Sequence, residues 1–240
     1  MTGPLPAELP GSFAETRDEL HQLAFYALSP ARYKETGRMG LRHHPRGYGT
    51  PRFEGKVARV EADLLVFESE AGVATQQITT VRAAAEFFGN EYVAVWFTDF
   101  GDPLPAADPD RKLEVDPDST DALGVLLGFG WAVLEDLQSH ADTGDDVSDI
   151  QLWPEHFDAA TELGDPDRGQ RASYGISPGD HAHTEPYAYV SAWSEIDRGN
   201  EYWNDSAFTG ASIPYSHLVA DGHEGALAFF LEGHRILHSG

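Results

Sequence analysis

Cysteine is absent from the 240 residues, and with it go disulfides, thiolate nucleophiles and zinc–thiolate sites. A chain without cysteine is compatible with the reducing interior of a cell, and a cytoplasmic location is expected. Long apolar runs are absent as well. The longest stretch without charged or strongly polar side chains, residues 122–134, contains Gly124, Gly128 and Gly130. It falls short of the ~20 residues that a helix needs to span a bilayer, so no membrane span is expected. The opening MTGPLPAELPGSFAETRDEL shows neither a basic start followed by an apolar block nor a small-residue cleavage site, and no secretory signal is expected.

Basic residues are scarce: 16 Lys/Arg stand against 40 Asp/Glu, for a net charge of -24. The deficit is uneven, because residues 101–240 hold 6 basic against 27 acidic side chains. Within the earlier part, Arg32 to Arg59 carries eight basic residues against Glu35 and Glu54, with His43 and His44 beside them. A basic strip and an acidic surplus are electrostatic complements within one molecule or across a homodimer. The acidic part would repel a polyanion that approached the strip, so nucleic acid is not an expected partner.

What is present reads as a folded chain, 41% hydrophobic, long enough for one large domain or two small ones. Thr16 and Glu19 form a capping-box pattern followed by apolar residues at helical spacing, ending near Ser29 and Pro30 or at Gly37. Residues 38–78 alternate as strands: a basic segment, KVARVE, LLVFESE and VATQQI. TTVRAAAEFFG reads as a short helix, and YVAVWFT, apolar on both faces, as a buried strand. A second helix, capped near Asp118 or Ser119, runs to about His140. Strands follow at LWPEHFDAA, RASYGI, YAYVSAW and FTGASI, and Asp221 with Glu224 open a last amphipathic helix. The expected class is α+β, with antiparallel sheets covered by helices in two similarly organised halves. The expected organisation is an N-terminal half over 1–100, an acidic proline-rich linker over 101–118, and a C-terminal half over 119–240.

Two active-site patterns overlap in YGISPGDHAHTEPYAYV. Gly175, Ser177 and Gly179 match GxSxG, but the oxyanion hole of that motif needs the N–H of the residue after serine, and here that residue is Pro178. SPGD reads as a turn. The HxH of His181 and His183 aims two imidazoles the same way on an extended chain, a start for a metal site. Alternation in QLWPEHFDAA puts His156 and Asp158 on one face, as further ligands for a divalent transition metal such as zinc, manganese or iron. With eleven histidines in the chain, such pairs also arise by accident. In PYAYVSAW, Tyr187, Tyr189 and Trp193 share one face and small residues the other. Joined by Tyr174, Trp203 and Trp153, that face would suit a flat or apolar ligand. DTGDDVSD lacks the glycine and terminal glutamate of an EF-hand loop.

Taken together, GLRHHPRGYGTP, ITTVRAAAEFFG, QLWPEHFDAA, YGISPGDHAHTEPYAYV and FTGASIPYSHL resemble an uncharacterised bacterial, mostly actinobacterial, protein family. The resemblance implies that both halves belong to one architecture, and it implies no activity, cofactor or catalytic residue. The leading functional reading is a protein that binds a small molecule or a protein partner in a pocket lined by Trp153, Tyr174, Tyr187, Tyr189 and Trp193. The alternative is a metal-dependent, hydrolytic enzyme with His156, His181 and His183 as ligands and Asp158 or Glu185 as ligand or general base. A structural or interaction protein is the third.

Overall fold

A computed structural model of the chain describes residues 4–96 and 105–239. Contacts group the chain into two units: Glu8–Val125 with Leu152–Phe157, and Met1–Ala7, Leu126–Gln151 and Asp158–Gly240. The division falls inside a helix, at Val125, rather than in the proline-rich segment 101–118, of which 101–104 lie outside the described residues.

In the first unit the opening helix α1 (Phe13–Leu23) starts a turn earlier than the Thr16 pattern suggests. Thr16 lies inside it, and its hydroxyl accepts the Asp116 N–H at 3.2 Å. The helical path continues through a π turn (Ala24–Leu28), where the Ser29 N–H reaches back to the Ala24 carbonyl, into α2 (Ser29–Thr36). The wider turn relieves the crowding that Pro30 imposes on the preceding carbonyls, so the proline does not end the helix. Gly37, in the left-handed conformation at φ 68°, ends it.

The next five strands, β1 (Arg42–His44), β2 (Gly47–Gly49), β3 (Val57–Glu61), β4 (Leu64–Ser69) and β5 (Gly72–Gln77), pair in sequence order, all antiparallel. The helix α3 (Val81–Phe87) is capped by the Thr80 hydroxyl, which accepts the Ala83 N–H at 3.1 Å. The expected strand at YVAVWFT does not form over 92–96: Val93 and Val95 are exposed, and Phe97 and Thr98 lie outside the described residues. The aromatic side chains hold this segment instead, Tyr92 against Tyr26 and Trp96 against Phe25 and Tyr33. Four of the eight basic residues of the strip pair with carboxylates of their own unit: Lys56 with Glu35, Arg59 with Glu61 and Glu68, Arg52 with Glu68, and Arg46 with Asp121.

The long helix α4 (Pro117–Ser139) gives its first turns to this unit. Its cap is Asp116, whose carboxylate accepts the Ser119 N–H at 2.9 Å, with Pro117 in the first turn where no N–H is needed. A Cβ added to Gly124 would lie 2.5 Å from the Gly47 backbone nitrogen, so α4 touches β2 main chain to main chain.

The QLWPEHFD motif is not one continuous strand. β6 (Asp146–Val147) and β7 (Gln151–Trp153) precede a turn at 154–157, closed by the Phe157 N–H on the Trp153 carbonyl at 2.7 Å, with Phe157 at φ 58°. His156 is exposed on the turn, which corrects the expectation that alternation aligns it with Asp158. Phe157 anchors the turn, stacked on His21 and edge-on to the buried Tyr48. His21 Nε2 donates to the Pro154 and Glu155 carbonyls at 3.0 and 3.1 Å.

The second unit holds one antiparallel sheet in the order β11 (Gly210–Pro214), β10 (Tyr187–Ala192), β9 (Ala172–Ser177), β8 (Asp158–Gly164), β6. Directly paired residues share a face. One face carries Ala159, Leu163, Ala172, Tyr174, Ile176, Ala188 and Val190. The remainder of α4 and the last helix α5 (Tyr215–His238) cover it, Gly130 against Ile176 and Phe230 against Tyr174. Gly222, non-helical at φ 61°, breaks α5, so the amphipathic helix expected from Asp221 is the second limb of a longer one. The class is α+β, and no helix among the described residues is long and apolar enough to cross a membrane.

Two outcomes test this packing. Burial pushes the His21 pKa from 6.5 down to about 4, against its two backbone hydrogen bonds. The unfolded chain therefore takes up this proton first, so the contribution is complete above pH 6.5 and is lost as pH falls toward 4. In thermal melts over that range, His21→Gln should remove an acid-dependent loss of about 2 kcal/mol from the wild-type profile. Gly124→Ala should lower stability by about 1–2 kcal/mol despite a better helix propensity, because backbone must yield. Gly11→Ala, with nothing within 4 Å, should change the melting temperature little.

Candidate functional site

The second face of the C-terminal sheet is polar. Asp158, Ala160 and Glu162 of β8, Ser173, Gly175 and Ser177 of β9, and Tyr187, Tyr189 and Ser191 of β10 share it by register. Tyr174 does not. It pairs with Val190, is fully buried and points under α5, which corrects its placement with the other tyrosines. Trp203 is buried edge-on to Tyr202, and Trp153 belongs to the first unit, half-buried. Of the aromatic candidates, Tyr187 and Tyr189 lie side by side with ring centroids 5.9 Å apart, and Trp193 follows, 57% exposed, under the Arg171 guanidinium.

Each phenol there has a task. Tyr189 donates to the buried Asp158 carboxylate, and its ring occupies the space over Gly175, where a Cβ would meet it at 2.6 Å. Tyr187 donates to Asp180 at 2.6 Å. Asp180 in turn accepts the N–H groups of Ala182 and His183 at 2.7 and 2.8 Å and so folds the DHAH loop. Burial raises the Asp180 pKa, but the Tyr187 hydroxyl and these two amides outweigh it and leave the carboxyl below its ordinary value.

The two histidines of HxH part company. His181 is exposed, whereas His183 stacks on Tyr187 and puts Nε2 2.9 Å from Asp205, a carboxylate that also accepts the Ser212 hydroxyl at 2.6 Å. Ser177 ends β9 and accepts the Gly179 N–H at 3.1 Å, the turn expected of SPGD. His156, Asp158, His181 and His183 belong to no group of three or more converging ligand atoms among the described residues.

One such group does form, from residues the motif reading passed over. His234 and His238 lie one turn apart on α5, and Asp142 and Asp145 come from the acidic turn after α4. One ligand atom from each of the four lies within 4.8 Å of the others. Asp145 Oδ2 is 2.9 Å from His234 Nε2, and Asp145 Oδ1 is 2.9 Å from His238 Nε2. The Asp142 N–H donates to Asp145 Oδ2 at 2.7 Å, and His238 Nδ1 donates to the His234 carbonyl at 2.9 Å. Burial raises the Asp145 pKa, but hydrogen bonds from the two imidazoles and the amide outweigh it, and the carboxyl sits below its ordinary value. The Tyr174 hydroxyl is buried with no hydrogen-bond partner among the described residues, and burial, then the Asp145 charge, push its pKa up. The i, i+4 histidines on a helix were the available signal. The aspartates, some ninety residues earlier, gave none.

The polar face is testable as a load-carrying network. Tyr189→Phe keeps the ring over Gly175 but takes a donor from a carboxylate that is 4% exposed. We expect a loss of about 1–3 kcal/mol in urea unfolding. Trp193→Ala, on an exposed side chain, should fall within about 0.5 kcal/mol of wild type.

No family model, curated protein or solved structure matches the chain.

Proposed function

We propose that this protein binds one divalent transition-metal ion through His234, His238, Asp145 and Asp142. The observation that carries this is the convergence of two imidazole nitrogens and two carboxylates within 4.8 Å. Around an ion with ligands at ~2.1 Å, tetrahedral neighbours stand about 3.4 Å apart. The 2.9 Å contacts of Asp145 with the two imidazoles therefore need to open by only about half an ångström to admit one. Two imidazoles with carboxylates suit zinc, iron, cobalt or manganese, whereas calcium and magnesium favour all-oxygen sites.

The surroundings support the same reading. The His238 Nδ1–H on the His234 carbonyl is the outer contact that metal-binding histidines make, and it turns the Nε2 lone pair toward the aspartates. Imidazole and carboxylate groups bind an ion only in their unprotonated forms, so metal binding is expected to weaken as pH falls.

The earlier reading, a small-molecule or partner site on the aromatic face, ranks second. Tyr187 and Tyr189 do share a face, but their hydroxyls are committed to Asp180 and Asp158. Metal analysis of tag-free protein, dialysed after loading with zinc, decides the matter. We expect about one equivalent in wild type and in His181→Ala and His183→Ala, and a drop of at least ~10-fold in affinity in His234→Ala and in Asp145→Asn. Equal zinc in wild type and His234→Ala would remove the proposal.

A further inference from the structure

We infer that this metal centre is open: His234, His238 and Asp145 are its fixed ligands, Asp142 is exchangeable, and the coordination position on the Asp142 side takes water or a small donor molecule from solvent. The inference rests on the metal-binding reading and adds to it the kind of chemistry the ion is available for. Closed structural centres use four protein ligands, and reactive ones use three and leave a position to water or substrate.

The four residues are not equivalent. The side chains of His234 and Asp145 are 8% and 2% exposed, and His238 is largely covered, whereas Asp142 is exposed. Two of the inner ligands are held by main-chain groups. His238 is braced by the His234 carbonyl, and the Asp145 carboxylate by the Asp142 N–H, with the Asp145 N–H returning to the Asp142 carbonyl at 3.1 Å. Those two contacts fix the Asp142 main chain while its carboxylate stands at the rim, in water, where exchange with a solvent ligand costs little desolvation.

Charge sharpens the distinction. A divalent ion with two neutral imidazoles and one carboxylate keeps a net charge of +1, enough to polarise a bound water or carbonyl oxygen, and coordination by Asp142 cancels it. Displaced from the ion, the exposed Asp142 carboxylate stays beside it and keeps the rim acidic. Neutral donors are therefore favoured over multiply charged anions at the open position.

The test is the visible spectrum of the cobalt(II)-loaded full-length protein, with and without acetohydroxamate, for wild type, Asp142→Ala and Asp142→Asn. We expect about one equivalent of cobalt in all three and a shift of the d–d bands by acetohydroxamate in all three, at lower concentration in the two variants because no carboxylate competes. Bands that stay unmoved while cobalt remains bound would overturn the open centre. So would loss of cobalt from both Asp142 variants as complete as that from His234→Ala, since Asp142 would then be a fixed fourth ligand. Failure of wild type to bind cobalt at all would instead overturn the metal-binding reading, and this inference with it.

Discussion

A carboxylate withdrawn from water has to be met by donors or by a cation, and the C-terminal unit holds three such carboxylates, Asp158, Asp205 and Asp145, beside the partly exposed Asp180. Asp158 has the Tyr189 hydroxyl, and Asp180 has the Tyr187 hydroxyl and two amides. Asp205 has His183, Ser212 and the Ala207 N–H, and Asp145 has two imidazoles and an amide. Unmet, each of the three buried ones would cost several kcal/mol, and met, the four tie strands and loops to the sheet or to α5. Three of the four are served by groups that a metal ion would not replace: phenols, hydroxyls, amides and one imidazole. Asp145 alone accepts from two imidazoles at once, and that donor set is also a ligand set. The metal proposal comes from this difference in donors rather than from acidity, which is spread over the whole unit.

The sheet sorts these roles. In β8, β9 and β10 every second residue faces α4 and α5, and the small or branched Ala159, Ile176, Ala188 and Val190 let the helices approach. The alternate residues carry the phenols and carboxylates. Gly175 belongs to this logic, because the Tyr189 ring lies where its side chain would be. The period-two pattern of PYAYVSAW was enough to predict the split in β10. It was silent on Tyr174, whose face depends on the register against Val190, a partner sixteen residues away.

Local signals carried most of the secondary structure. The Thr80 cap, the left-handed glycines at Gly37 and Gly89, and the alternating VARVE and LLVFES are all properties of a few neighbouring residues, and they became α3, the helix end and the β3–β4 pair. Readings failed where a distant contact outweighed the local pattern. Thr16 looked like a cap but serves the Asp116 amide, a hundred residues on. WPEHF looked like a strand, but Phe157 is drawn between His21 and Tyr48 and the chain turns to allow it. The same asymmetry governed the sites. His181 and His183 were conspicuous because they are adjacent, yet only His183 is engaged, and by a carboxylate no motif pointed to. His234 and His238 were equally adjacent in helical terms but were hidden in a segment read for its apolar face.

The charge of the C-terminal part then has a physical consequence for the proposed centre. Residues 101–240 carry 27 acidic side chains against 6 basic ones, and the turn that supplies Asp142 and Asp145 is among the most acidic stretches in them. Such a surface raises the local concentration of small cations and repels anions over roughly a Debye length, ~8 Å at physiological salt. The acidity that gave no motif of its own therefore bears on the proposed Asp145 centre from outside, by favouring the approach of a cation, while selection among ions would fall to the buried carboxylate and the two histidines of α5.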